Sequence, residues 1–283
     1  MKKEIGSNKG YKTLIAIAYL CMITFGLIET LKGAVIPSIR AEFLVDYTHI
    51  GQMLFVASLG YLIATFFGGM LIEKYGLKKM FIFGTSVVLV STGLFSVMPV
   101  FYSVVATYLL LGIGLGCFEV GVNTLGAKVF VKNEAMMMNF LHLFFGLGAA
   151  IAPRYASAFI EGGSSWQTIY LTVAILALLL LIIILFTKFP ETSVDKVEKT
   201  FSVRELAKSS KVWLIAIILG LFVMMESGMQ NWLVNYLQEA RSFDVASSTT
   251  YLTWFFVTFT FGRLVGGVLA DKIGYIKSLL YFT

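Results

Sequence analysis

Long apolar stretches alternate with short polar joints along this chain. Eight such stretches lie near 14–38, 47–72, 80–101, 104–130, 135–160, 167–187, 212–238 and 247–270. As an α-helix, each is long enough to cross a hydrocarbon layer about 30 Å thick, which takes about 20 residues. A further apolar start occupies 278–283. The pattern predicts an all-α integral membrane protein with eight spans and the beginning of a ninth.

The composition agrees with this prediction. Of the 283 residues, 58% are hydrophobic and 13% are charged, and that charged share is about half that of an ordinary soluble domain. The first apolar stretch is too long for the core of a signal peptide, so we read it as an uncleaved span. Cys21 and Cys117 both lie inside apolar stretches, and we expect neither a disulfide framework nor a metal site.

Basic residues are distributed unevenly between the two sides of the predicted spans. Seventeen of the 22 lie in the N-terminus, in the joints after spans 2, 4 and 8, or in the long segment 188–211, whereas only Arg40 and Arg241 lie in joints on the opposite side. Because basic residues collect on the cytoplasmic side, the N-terminus and 188–211 are predicted to be cytoplasmic. The net charge of +6 thus reflects basic residues that collect on one side of the membrane. We expect a multi-pass protein of the cell membrane and no nucleic-acid partner.

One short motif occurs twice, each time where a span ends. The stretch GGMLIEKYGLKK at 68–79 returns as GGVLADKIGYIK at 266–277, 198 residues later. The corresponding positions are Gly69, Glu73, Lys74, Gly76 and Lys79 in the first copy and Gly267, Asp271, Lys272, Gly274 and Lys277 in the second. Charges and a glycine are common where one helix leaves a membrane. Two copies with equal spacing indicate an internal repeat.

The repeated motif resembles the signature loop of the major facilitator superfamily, in which two six-helix halves are related by an axis along the membrane normal. The resemblance implies a major facilitator fold. Its six-helix N-terminal half would occupy 1–187, a cytoplasmic loop 188–211, and the first two to three helices of the C-terminal half 212–283. It also implies that the C-terminal third of a twelve-span protein is missing, through natural truncation or because the chain is a fragment.

The same resemblance implies that the motif forms a cytoplasmic gate. Its glycines would let helices approach closely, and its acidic residue would meet the positive N-terminal end of a helix from the other half. Asp271 would face the start of span 5, at 132–134, and Glu73 would face a span 11 that this sequence does not reach. We expect these contacts to hold the cytoplasmic side closed.

Three acidic residues interrupt apolar spans and are candidates for proton coupling: Glu29, Glu119 and Glu226, in spans 1, 4 and 7. A charge at the centre of a span costs about 2.5–3.5 kcal/mol or more, so such residues face a cavity or a partner. Lys32 lies one turn from Glu29 and could simply pair with it. Glu119 has no basic residue within a turn. Because burial favours the neutral form of a carboxylic acid, Glu119 is the leading candidate for carrying a proton.

Parts of spans 4, 5 and 7 (LGCFEVGVN, NFLHLFFGLGAAIAP and ESGMQNWLVNYL) together look like the fucose–proton symporter branch of the superfamily. That likeness places the proton-coupling glutamate of the branch on Glu119. The glutamate, tryptophan and tyrosine of its span 7 fall on Glu226, Trp232 and Tyr236. The branch also uses an acidic residue in span 1, one turn after Glu29. Either Glu29 replaces that residue or the coupling differs.

Polar residues that could bind a sugar lie on the same spans. A sugar site needs hydrogen-bonding partners for hydroxyl groups and a flat apolar ring, and the candidates are Asn123, Asn139, His142, Gln230, Asn231 and Trp232. Asn139 and His142 are three residues apart and share a helix face. Two alternatives stay open: His142 could make a helix-packing hydrogen bond, and Trp232 could lie at the membrane interface.

These features predict a secondary active transporter that takes up a sugar or similar small polar solute with protons, by alternating access. The proton gradient would supply the energy without a cofactor, and a full-length protein would be monomeric. The sequence contains no phosphate loop, nucleophile motif or metal cluster, so we do not predict an enzyme. The alternatives are a proton-driven exporter of small molecules or drugs and a non-transporting membrane fragment. Arg154, directly after Pro153, departs from the span-5 motif of exporters.

Overall fold

The computed structural model describes residues 7–130, 134–190 and 207–274. Within these ranges the chain forms eight α-helices and no strand. The helices α1 to α8 are Ser7–Phe43, Tyr47–Tyr75, Leu77–Leu94, Phe101–Val129, Glu134–Glu161, Trp166–Phe186, Ser210–Arg241 and Val245–Ile273. Helices α1 to α7 are long and apolar enough to cross a membrane. The chain is therefore a multi-pass, all-helical membrane protein, as predicted, and each predicted span overlaps one helix.

Helix α1 lies at the centre of the bundle, where it packs against α4, α5, α6 and α7. Helix α2 packs on α4, α3 packs on α4 and α6, and α8 packs on α5 and α7. We call the side on which α2 ends the motif side, and the side on which α1 ends the far side. Aromatic residues fill the interior between α3, α4 and α6, where the hydroxyls of Tyr108 and Tyr170 are 2.8 Å apart.

The backbones of α2 and α4 touch, because glycine stands where any side chain would collide. A Cβ atom on Gly60 would overlap the carbonyl oxygen of Leu109, and one on Gly112 would overlap that of Ala57. Gly116 also lies close to α2, against the carbonyl oxygen of Tyr61. Gly112 and Gly116, four residues apart on α4, thus form a close crossing with α2. In lipid such close packing replaces the hydrophobic effect as the attraction between helices.

The internal repeat extends well beyond the motif. Helices α2 and α8 both contain 29 residues, and the second begins and ends 198 positions after the first. The turns that precede them match as well, since Leu44 and Ser242 adopt left-handed backbone with φ of 51° and 55°. Asp46 and Asp244 then each accept the backbone N–H of the residue three positions later, at 3.0 and 2.6 Å. The same turn, aspartate cap and helix thus occur twice, 198 residues apart.

Both copies of the motif end their helix at a glycine with positive φ. Gly76 has φ 89° and ψ 155°, a conformation that essentially only glycine adopts, and Gly274 has φ 86°. The expected close approach to a neighbouring helix is made by Gly68, which lies against Val120, whereas Gly69 has open space around it. Gly69 lies on the exposed outer face of α2, and its gate role stays a prediction.

The contacts predicted for the cytoplasmic gate lie outside the described residues. The side chains of 267–273, the segment 131–133 and everything from 275 onward belong to that undescribed part. The gate roles of Asp271, Lys272 and Lys277 stay predictions, as does the division of the chain at 188–211.

The substitution Gly112→Ala should destabilise the bundle, because the added methyl group would push α4 away from the backbone of α2. We expect a clearly lower melting temperature for the purified protein in detergent. The control is Gly51→Ala, at a helical glycine with open space around it, where alanine should be neutral or stabilising by up to about 1 kcal/mol. Equal melting temperatures for the two variants would contradict the packing described for α2 and α4.

Candidate functional site

Glu29 lies at the meeting point of α1 and α7 and is a paired carboxylate. Lys32, one turn later on α1, forms an ion pair with it, and Lys32 is only 7% exposed. From α7, the side-chain amide of Gln230 donates to the backbone oxygen of Glu29 at 3.0 Å and lies 3.5 Å from its carboxylate. The alternative that Glu29 pairs with Lys32 is therefore realised. Gln230 contacts α1 rather than pointing into an open cavity.

Glu119 on α4 differs from Glu29, because it has no hydrogen-bond or ion-pair partner among the residues that the structure describes. It is half-buried and close enough to Glu29 for the two carboxylates to interact electrostatically. One turn later, the side-chain oxygen of Asn123 is buried and also lacks a partner within the described ranges. The carboxyl of Glu119 and the amide oxygen of Asn123, one turn apart on α4, thus both lack a hydrogen-bond partner within the described residues.

A polar cleft of about 140 Å³ lies between α5 and α8. Its walls are Asn139, His142 and Leu143 from α5 and Thr260, Arg263 and Leu264 from α8. The shared face predicted for Asn139 and His142 is confirmed, since both line this cleft. Gly146 brings the helices together, because a Cβ atom there would overlap the hydroxyl of Thr260. That hydroxyl oxygen is buried and finds no partner in the described chain.

Arg263 connects the cleft to the third acidic residue. Its guanidinium lies 4.0 Å from the carboxylate of Glu226 on α7, a distance at which the two charges attract without a hydrogen bond. A base inside an apolar span is expected to hold helices together through a backbone carbonyl oxygen or an acidic residue. The approach of Arg263 to Glu226 agrees with that expectation.

Three further residues of α7 make contacts with other parts of the protein or within their own helix. The ring of Trp232 packs against that of Tyr47 on the far side, with 5.9 Å between their centroids. Asn231 donates to the carbonyl oxygen of Ser227 in its own helix at 2.9 Å, while its side-chain oxygen is buried without a partner in the described ranges. Tyr236 is exposed and accepts from Arg241 at 3.1 Å. Solute contacts by Trp232 and Asn231 stay predictions.

A polar network on the far side joins α1, α2 and α7. Arg40 and Glu239 form an ion pair, and Tyr47 donates a hydrogen bond to the same carboxylate. Asn235 donates to the hydroxyl of Tyr47 at 3.1 Å. The guanidinium of Arg40 lies 3.8 Å from the centre of the Tyr47 ring, which adds a cation–π attraction. This network holds the far-side ends of α1, α2 and α7 together.

Hydrogen bonds on this far side also join α5 to α8. Arg154 of α5 donates to the carbonyl oxygen of Ala246 at 3.3 Å, and Thr253 of α8 donates to that of Ala150 at 3.0 Å. On the motif side, by contrast, every residue of α7 from 210 to 225 is exposed. Within the described chain, the contacts of α7 with the first six helices therefore lie between Gln230 and the far-side end of α7.

Comparison with known proteins gives a family match. A family model described as Major Facilitator Superfamily matches residues 18–283. The chain is 22% identical over 294 residues to the cis,cis-muconate transport protein of Acinetobacter baylyi, an alignment that covers 96% of this chain and 69% of that protein. It is 22% identical over 274 residues to the glucose/mannose transporter GlcP of Bacillus subtilis, covering 93% of this chain and 67% of that one.

Solved structures show the same architecture. The crystal structure of a bacterial homolog of the human lysosomal transporter Spinster, in an inward-facing and unoccupied conformation, superposes with a TM-score of 0.78 at 15% identity. That alignment covers 94% of this chain and 64% of the other. The chain spans between 57% and 72% of the length of curated relatives to which it aligns over nearly its whole length.

Exchanging the charges of Arg40 and Glu239 tests whether the far-side network holds α1 and α7 together. Arg40→Glu and Glu239→Arg should each lower stability, because each places like charges side by side. The double exchange should restore part of the loss, with a coupling of about 0.2–1 kcal/mol for a partly exposed pair. Denaturant unfolding in detergent micelles measures all four proteins. Purely additive effects of the two substitutions would show that the ion pair contributes nothing.

Proposed function

This chain belongs to the Major Facilitator Superfamily, and from that premise we propose that it transports a sugar or similar small polar solute together with protons, by itself or as part of a longer protein. The observation that carries the proposal is the unpartnered carboxyl of Glu119 beside Glu29. The family match also bears out the prediction that the chain is not an enzyme.

Charge balance among the charged groups inside the spans supports a proton as the coupling ion. Glu29 is offset by Lys32, and Glu226 is offset by Arg263. Glu119 is the one acidic residue of the three without a basic partner among the described residues. A lone charge in a medium of low polarity is costly. Binding one proton on Glu119 would make the whole set neutral and would leave a carboxylic O–H able to donate to a solute hydroxyl.

Alternating access would connect that proton to movement of the solute. In the conformation described, contacts on the far side are made and the motif-side part of α7 is exposed. The opposite conformation would break the far-side network and close the motif side around the same groups, as in transporters built from two repeats. The constant offset between α2 and α8 supports two such repeats. We further propose that the motif side is cytoplasmic and that the energy comes from the proton gradient without a cofactor.

The chemistry of the groups between the helices fits a polar solute. Hydroxyl groups of a solute could find several hydrogen-bond donors and acceptors here. They are Glu119 and Asn123 on α4, and Asn139, His142 and Thr260 around the cleft. Among the relatives, one is named for transport of glucose and mannose. Arg263 favours a second candidate class, small organic acids, because its guanidinium is only loosely paired. A relative named for muconate transport supports testing that class.

Proteoliposomes with an imposed proton gradient provide the test. Labelled glucose, mannose, galactose, fucose and muconate should be offered in parallel, and at least one should accumulate against its concentration gradient. Glu119→Gln should reduce this accumulation to the level of empty liposomes, because an amide cannot take up a proton. The same variant should still exchange labelled for unlabelled solute across the membrane, since exchange needs no net proton movement.

Glu161→Gln is the matched control for that experiment. Glu161 lies at the far-side end of α5 and accepts a hydrogen bond from Ser157 at 3.0 Å, away from the three acidic residues. This variant should accumulate solute like the unmodified protein. If Glu119→Gln retained gradient-driven accumulation with an unchanged pH dependence, Glu119 would not be the coupling group.

A further inference from the structure

Arg263 lies where three helices meet. Its side chain belongs to α8, lies 4.0 Å from the carboxylate of Glu226 on α7, and lines the cleft that α8 forms with α5. The central carbon of its guanidinium is 4.6 Å from the centre of the Phe259 ring, one turn earlier on α8, which adds a cation–π attraction. Because the guanidinium borders both Glu226 and the cleft, a small rotation of its side chain can direct its N–H groups to either one.

The protein itself does not use the N–H groups of this guanidinium. An arginine side chain offers five N–H donors in a fixed fork, and within the described ranges those of Arg263 make no hydrogen bond. Its one ion-pair contact there, with Glu226, is too long for a hydrogen bond. The fork matches the two oxygens of a carboxylate, which it can hold with two parallel hydrogen bonds. Arg263 therefore has the capacity to bind a second carboxylate.

The rest of the cleft provides further hydrogen-bonding groups and no competing charge. The hydroxyl of Thr260, one turn before the arginine, is buried without a partner in the described chain. Asn139 and His142 line the cleft from α5, and Leu143 and Leu264 give it an apolar surface. None of the described residues that line the cleft is acidic. Its volume of about 140 Å³ thus combines donors for an anionic group with room for a small apolar body.

We propose that this cleft binds the carboxylate of a small organic acid on Arg263, and that Glu226 is a tethered competitor which the solute carboxylate displaces. The proposal rests on the proposed function and assigns a site to its second solute class. A bidentate pair with the solute is stronger than the loose contact with Glu226, because it adds charge-assisted hydrogen bonds. When no solute is bound, Glu226 compensates the charge of Arg263 inside the span, where an isolated charge is costly.

The charges around the cleft favour a carboxylate over other solutes rich in oxygen. A neutral sugar has no group that can replace the carboxylate of Glu226 on a guanidinium. A phosphate dianion needs a second cation, and Arg263 is the one permanently charged base among the described residues of the cleft. The nearby charge of Glu226 repels a dianion more strongly than a single carboxylate. One carboxylate forms a neutral pair with Arg263.

Equilibrium binding tests this assignment without any transport. Purified protein in detergent would be titrated with benzoate and with benzamide, which has nearly the same shape but no charge, and ligand-observed NMR would measure both affinities. Benzoate should bind about tenfold or more tightly than benzamide, because hydrogen bonds to a charged group are the stronger ones. Inorganic phosphate should not displace benzoate. Displacement by phosphate at similar concentration would contradict the assignment to a carboxylate.

Substitutions of the two charged residues should act in opposite directions. Arg263→Gln should reduce benzoate binding to the level of benzamide. Glu226→Gln should tighten benzoate binding by about two- to fivefold, the range expected for a partly exposed ion pair, and should leave benzamide binding unchanged. Glu226→Asp retracts the carboxylate from Arg263 but keeps its charge. It should tighten benzoate binding as Gln does, whereas no change in that variant would indicate simple repulsion and contradict the role of Glu226 as a competitor.

Thr260→Val is a second test of the cleft, should Arg263→Gln fail to fold. Valine keeps the shape of threonine and removes the buried hydroxyl, so benzoate binding should weaken. Glu161→Gln is the matched control, because Glu161 lies at the far-side end of α5, and this variant should bind benzoate normally. The proposal is overturned if the unmodified protein binds benzoate no better than benzamide. It is also overturned if Arg263→Gln or Thr260→Val, once folded, binds benzoate normally, or if Glu226→Gln weakens binding.

These binding results stand apart from the uptake measurements. If benzoate binding shows this pattern while no labelled solute accumulates in proteoliposomes, the proposed function fails and the assignment of the cleft holds. If solute accumulation depends on Glu119 while benzoate binding does not depend on Arg263, the assignment of the cleft alone fails.

Discussion

An ionised side chain between helices in a membrane has no bulk water around it, and the arrangement of this bundle follows from that constraint. Glu29 is offset by Lys32, and Glu226 by Arg263. Glu119 alone among the three acids has no such partner in the described chain, so a proton is the simplest way to neutralise it. The same constraint explains why the amide of Gln230 turns toward Glu29 rather than remaining unpaired in a dry contact.

The contacts between the first six helices and the last two differ between the far side and the motif side. Close backbone packing through glycine holds α2 against α4 and brings α1 against α7 at Gly33. Polar contacts between the first six helices and the last two gather on the far side, around Arg40 and Arg154. The contact of α7 with α1 ends at Gln230, and the motif-side part of α7 is exposed. A helix α7 that is packed at its far-side end and exposed at its motif-side end suits a transporter that opens alternately to its two sides.

Much of the fold can be predicted from the sequence, because apolar length and polar joints are local properties. The repeated motif even predicts the helix-ending turn at Gly76 and Gly274, since equal spacing implies equal backbone geometry. The site is predicted less completely. The spacing of Glu29 and Lys32 reveals their pairing, but the rotation of α7 that turns Gln230 toward Glu29 and Trp232 toward Tyr47 depends on packing between distant segments. The partner of Arg263 could not be predicted from spacing, because Glu226 lies on a different helix.

The central claim is that a proton crosses the membrane together with the solute and that Glu119 carries it. The most direct measurement is the pH outside lightly buffered proteoliposomes when the transported solute is added without any imposed gradient. The account predicts that the outside becomes more alkaline as solute enters, and that Glu119→Gln abolishes this change while solute exchange continues. Solute entry without proton movement in the unmodified protein, or an undiminished pH change in Glu119→Gln, would contradict the account.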